Sequence, residues 1–123
     1  SPSLREKMER IEEDSKNNSI IVNLAINYGG RSELVNAYRT LIKEGKTDIC
    51  EEDITSALYT KDSPELDMVI RTGGDIRISN FLLWQTAYAE LYFTDKLWPD
   101  FDTADLDAAI EVFNSRQRRF GGV

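Results

Sequence analysis

The sequence predicts an α/β fold: a parallel sheet with helices on both faces, represented here by about three strands and five helices. Three observations carry this expectation. Short runs rich in β-branched residues alternate with longer segments of helical periodicity, the pattern of βαβ units. The first two runs, IIVNLAI at 20–26 and LDMVI at 66–70, are apolar at nearly every position, as strands covered on both faces are. A chain of 123 residues is long enough for one domain with a real core.

Each element follows from local chemistry. Ser3 and Glu6 form an S-x-x-E capping box, and Leu4, Met8 and Ile11 follow at helical spacing, so a first helix should run to about Lys16. Asn17, Asn18 and Ser19 make a turn into the first strand, and NYGGRS is a loop. Ser32 can cap a second helix that places Leu34, Val35, Tyr38, Leu41 and Ile42 on one side and stops at Gly45. Asp48 with Glu51 can cap a shorter helix through Ala57 and Leu58. Asp62, Ser63 and Pro64 break the chain before the second strand. A fourth helix is expected over about 80–88, a short third strand at ELYF, and an aromatic loop at LWPDFD. The last helix opens near Asp102 and Thr103, packs Leu106, Ile110 and Phe113, and ends at RRFGG. Three parallel strands leave edges that want partners, so further strands are expected upstream or from another chain.

Composition excludes several classes of function. Acidic residues outnumber basic ones 22 to 15, a net charge of −7, which argues against coating nucleic acid. One cysteine, Cys50, permits neither an internal disulfide nor a cysteine zinc cluster. The absence of histidine removes Ser-His and Cys-His triads and most zinc chemistry. A lone thiol suits a reducing, cytosolic compartment. No signal peptide or apolar run near the ~18 residues of a membrane span appears, and a start without Met suggests a processed or truncated chain.

The acidic balance makes IRTGGDIRISNFLLWQ, residues 70–85, conspicuous. Open α/β sheets bind ligands at the carboxyl ends of their strands, where Arg71 falls. Gly73 and Gly74 allow a tight turn and close backbone approach. Ser79 stands at a helix N-cap position with free amides beyond it. Two guanidiniums, a hydroxyl and N–H groups suit a diphosphate better than a carboxylate, because more oxygens need partners. The competing reading pairs Arg71 with Asp67 or Asp75 and leaves the glycines as a plain turn. Neither a Walker loop nor a G-x-G-x-x-G fingerprint is present.

The stretch DMVIRTGGDIRISNFLLWQTAYAELYFTDKLWPDFD, with NLAINYGGRSELV before it and RQRRFGG after it, closely resembles the C-terminal signature of cis-prenyltransferases, the bacterial undecaprenyl diphosphate synthase type in particular. The resemblance covers nearly the whole chain. Asp75 stands where the family more often has Glu. The family's N-terminal half, with its Asp-Gly-Asn-Gly-Arg phosphate loop and catalytic aspartate, has no counterpart here, so residues 1–123 read as the C-terminal portion of one catalytic domain, with no catalytic residue of their own.

The resemblance implies that Arg71, Arg77, Ile78 and Ser79 bind isopentenyl diphosphate, and that Glu90 is a ligand of a catalytic Mg²⁺. It implies an allylic, farnesyl-type diphosphate as co-substrate, repeated cis-condensation to a long polyprenyl (undecaprenyl) diphosphate, a homodimer, and a cytoplasmic enzyme in transient contact with the membrane surface. Read alone, Glu90 is a solvated charge before a strand. Arg31 in NYGGR is either an anion contact or a structural ion-pair residue. Arg116 to Arg119 form a basic helix end that in the family lies near the dimer interface and the substrate site. Phe81, Leu82, Trp84, Trp98 and Phe101 read as core and dimer packing, and Asp100 and Asp102 as turn and helix cap rather than a metal pair. Ile20, Val22 and Leu24 alternate along the first strand, as a tunnel wall or beneath a helix. Two other readings remain: a non-catalytic accessory subunit of a heteromeric prenyltransferase, and a generic phosphate-binding α/β domain.

Overall fold

The computed structural model describes residues 2–116. The predicted α/β class holds, with two strands rather than three and four α-helices rather than five. Helix α1 spans Pro2–Ser15, opening on a proline whose fixed φ suits a first helical turn. It buries no residue, and its surface carries the i,i+4 pairs Arg5–Glu9 (3.1 Å) and Arg10–Asp14 (3.7 Å).

The strand expected at 20–26 does not form. Its backbone has no neighbouring ladder, and Ile20, Val22 and Leu24 are 76, 74 and 74% exposed. β-branched composition favours a strand only where cross-strand and facing side chains supply the packing. Among the described residues no helix covers these side chains. Asn23 donates to Ser63 Oγ at 2.9 Å, and Asn27, at φ 53°, turns the chain toward the next helix.

Helix α2, Gly30–Lys43, begins ahead of the expected Ser32 cap. Its first amides are satisfied from a distant segment: Gly30 N–H donates to Asn80 O (2.7 Å) and Arg31 N–H to Asn80 Oδ1 (2.9 Å). The far end closes as predicted at Gly45, which adopts φ 86°; Gly45 N–H donates to Ile42 O and Lys46 N–H to Leu41 O, both at 3.0 Å. Gly30, Glu33, Ala37 and Leu41 form the buried face of α2, which packs against α3, Glu51–Ala57. Helix α3 starts later than an Asp48 cap would place it. Cys50 is the N-cap, and Asp53 Oδ2 accepts from its backbone N–H at 3.2 Å.

Strand β1, Met68–Arg71, pairs in parallel with β2, Glu90–Phe93, with Met68 opposite Glu90 and Arg71 opposite Phe93. The connection between them contains one short 3₁₀ turn, Gln85–Tyr88, in place of the expected helix over 80–88. Ser79, Asn80 and Leu82 all have positive φ (46°, 64° and 45°), a conformation no α-helix can pass through. A second 3₁₀ turn, Trp98–Asp100, precedes α4, Thr103–Ser115. Asp102 caps α4 as predicted, accepting from Ala104 N (2.9 Å) and Asp105 N (3.1 Å). Asp105 is held below the usual carboxylate range by Lys96, which donates to it at 2.6 Å.

Among the described residues the apolar core is small: Ala37, Leu41, Leu58 and Ala109. Among the described residues no helix is long and apolar enough to cross a membrane.

Candidate diphosphate loop

The loop after β1 is organised around Arg71. The strand ends there, and the chain turns through Gly73 (φ 92°) and Gly74 (φ 79°), positions that favour glycine. Their amides are not free for a ligand: Gly73 N–H donates to Lys96 O (2.7 Å) and Gly74 N–H to Thr94 O (3.0 Å), tying the turn to the chain after β2. The loop returns over the end of β1 and brings Asp75, Arg77 and Ser79 to the Arg71 guanidinium. Arg71 Nη2 pairs with Asp75 Oδ2 at 3.1 Å, and Arg71 Nη1 donates to Arg77 O (2.5 Å) and Ser79 Oγ (3.1 Å). Arg77 Nη2 pairs with the same Asp75 oxygen at 2.5 Å.

Of the two readings of Arg71, the pairing with Asp75 is the one the geometry shows. Arg71 takes the structural partner Asp75, yet it also gathers Arg77 and Ser79 into one cluster. The arginines differ in kind: the Arg71 side chain is 25% exposed and anchored to backbone, whereas that of Arg77 is 62% exposed with Asp75 as its partner. Two guanidiniums thus share one carboxylate oxygen, on a chain of net charge −7. Ser79 does not cap a helix; its left-handed backbone ends that role, and its hydroxyl accepts from Arg71 instead. Ile78 is half-buried, its carbonyl accepting from Phe81 N at 2.9 Å.

Glu90 stands apart from this cluster. It opens β2 opposite Met68, three residues before Arg71, which along a strand is about 10 Å. Its Oε2 accepts from Arg116 Nη1 at 2.7 Å, and Arg116 also donates to Leu91 O at 3.1 Å. Among the described residues no group of three or more His, Cys, Asp or Glu side chains could hold a metal ion. Glu90 fits Mg²⁺ only as a single carboxylate ligand, an arrangement that cation accepts when substrate phosphate and water complete its shell.

Asp100 and Asp102 form no metal pair, since Asp102 is spent on its cap. Arg31 takes part through its backbone; among the described residues its guanidinium makes no ion pair. Arg118 and Arg119 lie outside the described residues. Phe81 packs edge-on to Tyr28 with centroids 5.7 Å apart, Trp84 Nε1 donates to Thr55 Oγ1 at 3.1 Å, and Trp98 stacks on Phe101 at 6.3 Å.

Sequence reasoning missed a buried polar hub beside the loop. Glu33 is 1% exposed and carries no cation; its carboxylate accepts from the Tyr28 hydroxyl, Tyr59 N–H (2.9 Å) and Gln85 Nε2 (3.2 Å). Burial, and then the hydrogen bond to Glu33, push the Tyr28 phenol far above its usual range, so it stays a donor. Glu33 lies among the buried positions of α2 at the same spacing as Gly30 and Ala37, the one signal that could have exposed it.

The chain is similar to known proteins. Residues 1–121 match the family described as putative undecaprenyl diphosphate synthase. The isoprenyl transferase of Fusobacterium nucleatum is 57% identical over 121 residues, covering 98% of this chain and 52% of that protein. The isoprenyl transferase of Neisseria gonorrhoeae is 50% identical over 121 residues, covering 95% and 49%. Among solved structures, a probable undecaprenyl diphosphate synthase from Campylobacter jejuni superposes with a TM-score of 0.85 at 37% identity, covering 99% of this chain and 58% of that one. Lavandulyl diphosphate synthase from Lavandula x intermedia, in complex with dimethylallyl diphosphate, gives 0.90 at 36% identity, with 99% and 56% covered. The chain spans about half the length of the curated relatives it matches, and it belongs to the undecaprenyl diphosphate synthase family of prenyltransferases.

Proposed function

We propose that this chain is the C-terminal, isopentenyl-diphosphate-binding portion of a cis-prenyltransferase that lengthens an allylic diphosphate such as farnesyl diphosphate. The observation that carries the reading is the convergence of Arg71, Arg77 and Ser79 on one point after β1. A diphosphate entering there exchanges the Asp75 carboxylate for its own oxygens on the exposed side of Arg77, while Arg71 keeps the loop in place. Ile78 offers the half-buried apolar contact beside the anion. Glu90 would hold Mg²⁺ through one carboxylate oxygen, and that ion, when bound, offsets the charge that develops on a departing diphosphate.

Isothermal titration of the chain with isopentenyl diphosphate tests this. Saturable binding that inorganic pyrophosphate competes away is the expected result. The same chain incubated with farnesyl and isopentenyl diphosphates and Mg²⁺ should form no polyprenyl product, since it contains no counterpart of the family's phosphate loop. Absence of any diphosphate binding, or elongation by the chain alone, overturns the proposal.

A second copy is part of the same reading. Tyr88, Leu97 and Trp98 are 74, 60 and 75% exposed, more aromatic and aliphatic surface than an isolated monomer usually shows. An enzyme of family length carrying this segment should sediment as a dimer at micromolar concentration, and a monomer there contradicts it. With no membrane-crossing helix among the described residues, contact with lipid is proposed to be peripheral.

A further inference from the structure

We infer that Asn80 is the positioning residue of the diphosphate loop, and that Gly29 and Gly30 exist to receive it; the inference rests on the proposal that this loop binds a diphosphate. Three non-glycine residues with left-handed backbone, Ser79, Asn80 and Leu82, fall within four positions. Such a run persists only where surrounding structure over-determines it. Arg71 supplies one anchor, through Arg77 O and Ser79 Oγ. Asn80 supplies the other. Its backbone carbonyl takes the Gly30 amide and its side-chain oxygen takes the Arg31 amide, so one residue caps α2 from 50 positions away in sequence.

The glycines of NYGGR match that task closely. A Cβ on Gly29 would lie 2.9 Å from Asn80 Nδ2, and a Cβ on Gly30 would lie 3.0 Å from Leu83 N and 3.2 Å from Asn80 O. A side chain at Gly30 would push the 79–83 backbone off the helix end, and one at Gly29 would displace the Asn80 side-chain amide. Gly30 thus serves a close approach between two backbones, and Gly29 makes room for the Asn80 side chain. Asparagine suits the position on three counts. It tolerates positive φ better than most residues. It offers an acceptor to a helix N-terminus. It is also neutral, so it adds no negative charge next to Ser79.

The test measures affinity and stability together. Titration with inorganic pyrophosphate is run on the wild-type chain, Asn80→Ala, Gly29→Ala and Arg77→Ala, each with a thermal midpoint. Asn80→Ala should weaken pyrophosphate binding on the order of tenfold, the scale of one lost positioning hydrogen bond, that from Arg31 N–H to Asn80 Oδ1. Gly29→Ala is the second variant, should Asn80→Ala fail to fold. Gly29 has φ −156°, which alanine adopts freely, and the added methyl displaces only the Asn80 amide, so the midpoint should fall by no more than one helix-cap bond while affinity falls. In an enzyme of family length, both should raise the isopentenyl diphosphate KM more than the allylic KM. If Arg77→Ala loses affinity but Gly29→Ala and any folded Asn80→Ala bind as wild type, the inference is wrong and the loop assignment survives. If wild type binds no pyrophosphate, the loop assignment fails and this inference with it.

Discussion

Replacing Glu33 with alanine should lower stability more than any other single side-chain change on α2. The carboxylate is 1% exposed and accepts from three donors on three separate segments: the Tyr28 hydroxyl, Tyr59 N–H and Gln85 Nε2. Removal strands the Tyr28 hydroxyl and the Tyr59 N–H, while Gln85 Nε2 keeps Thr60 Oγ1 at 3.0 Å. An unsatisfied buried donor costs about 1–3 kcal/mol, and these are part-buried, so water offsets some of it. A net loss of about 3 kcal/mol is expected. For a chain of this length each kcal/mol moves the midpoint by roughly 3–6 °C, so the melting temperature should fall by roughly 10 °C or more. Glu33→Gln keeps the shape but turns one acceptor into a donor facing donors, and should recover only part of the loss. Circular dichroism melts decide this. A fall under about 3 °C for Glu33→Ala means the hub does not hold α2 to the segment after the loop.

The same hub marks where sequence reasoning stops. Amphipathic period and the Gly45 stop placed α1, α2, α3 and α4 to within a few residues, because their signals are local, although the expected caps Ser3, Ser32 and Asp48 are not the ones used. Asp102 was legible as a cap, and ELYF as a strand, for that reason. The run at 20–26 was not: it carries every compositional mark of a strand, but a strand needs a ladder, which is a property of its neighbours. The helix expected at 80–88 failed for a related reason. Residues 79–82 have respectable local helical patterning, yet Asn80 bonds to Gly30 and Arg31 and holds the backbone left-handed. Long-range hydrogen bonds overrode local preference there, and they did so in the loop that the resemblance had already marked for substrate. Arg71, Arg77 and Ser79 were legible as a cluster because they fall within nine residues after a strand. Asp75, the partner the two arginines share, stood between two alternatives until the geometry selected it.

Arg77→Ala should cost binding without costing the fold, and Arg71→Ala should cost both. The contrast follows from what each guanidinium touches. Arg77 is 62% exposed and pairs with Asp75 alone, an exposed ion pair worth little to stability. Its loss removes one charge-assisted contact to an incoming phosphate, about 1.5–3 kcal/mol, or on the order of ten- to a hundredfold in affinity for isopentenyl diphosphate. The thermal midpoint should stay within a few degrees. Arg71 is 25% exposed and donates to Arg77 O, Ser79 Oγ and Asp75. Its removal frees a backbone carbonyl and unties the loop from β1, so the midpoint should fall as well. Ser79→Ala, which deletes one neutral hydroxyl held by Arg71, should act like Arg77→Ala but more weakly. Titration calorimetry gives the affinities and thermal melts give the midpoints. If both arginine variants melt early yet the folded protein binds isopentenyl diphosphate as tightly as wild type, the cluster is a structural knot around Asp75. The diphosphate then binds elsewhere.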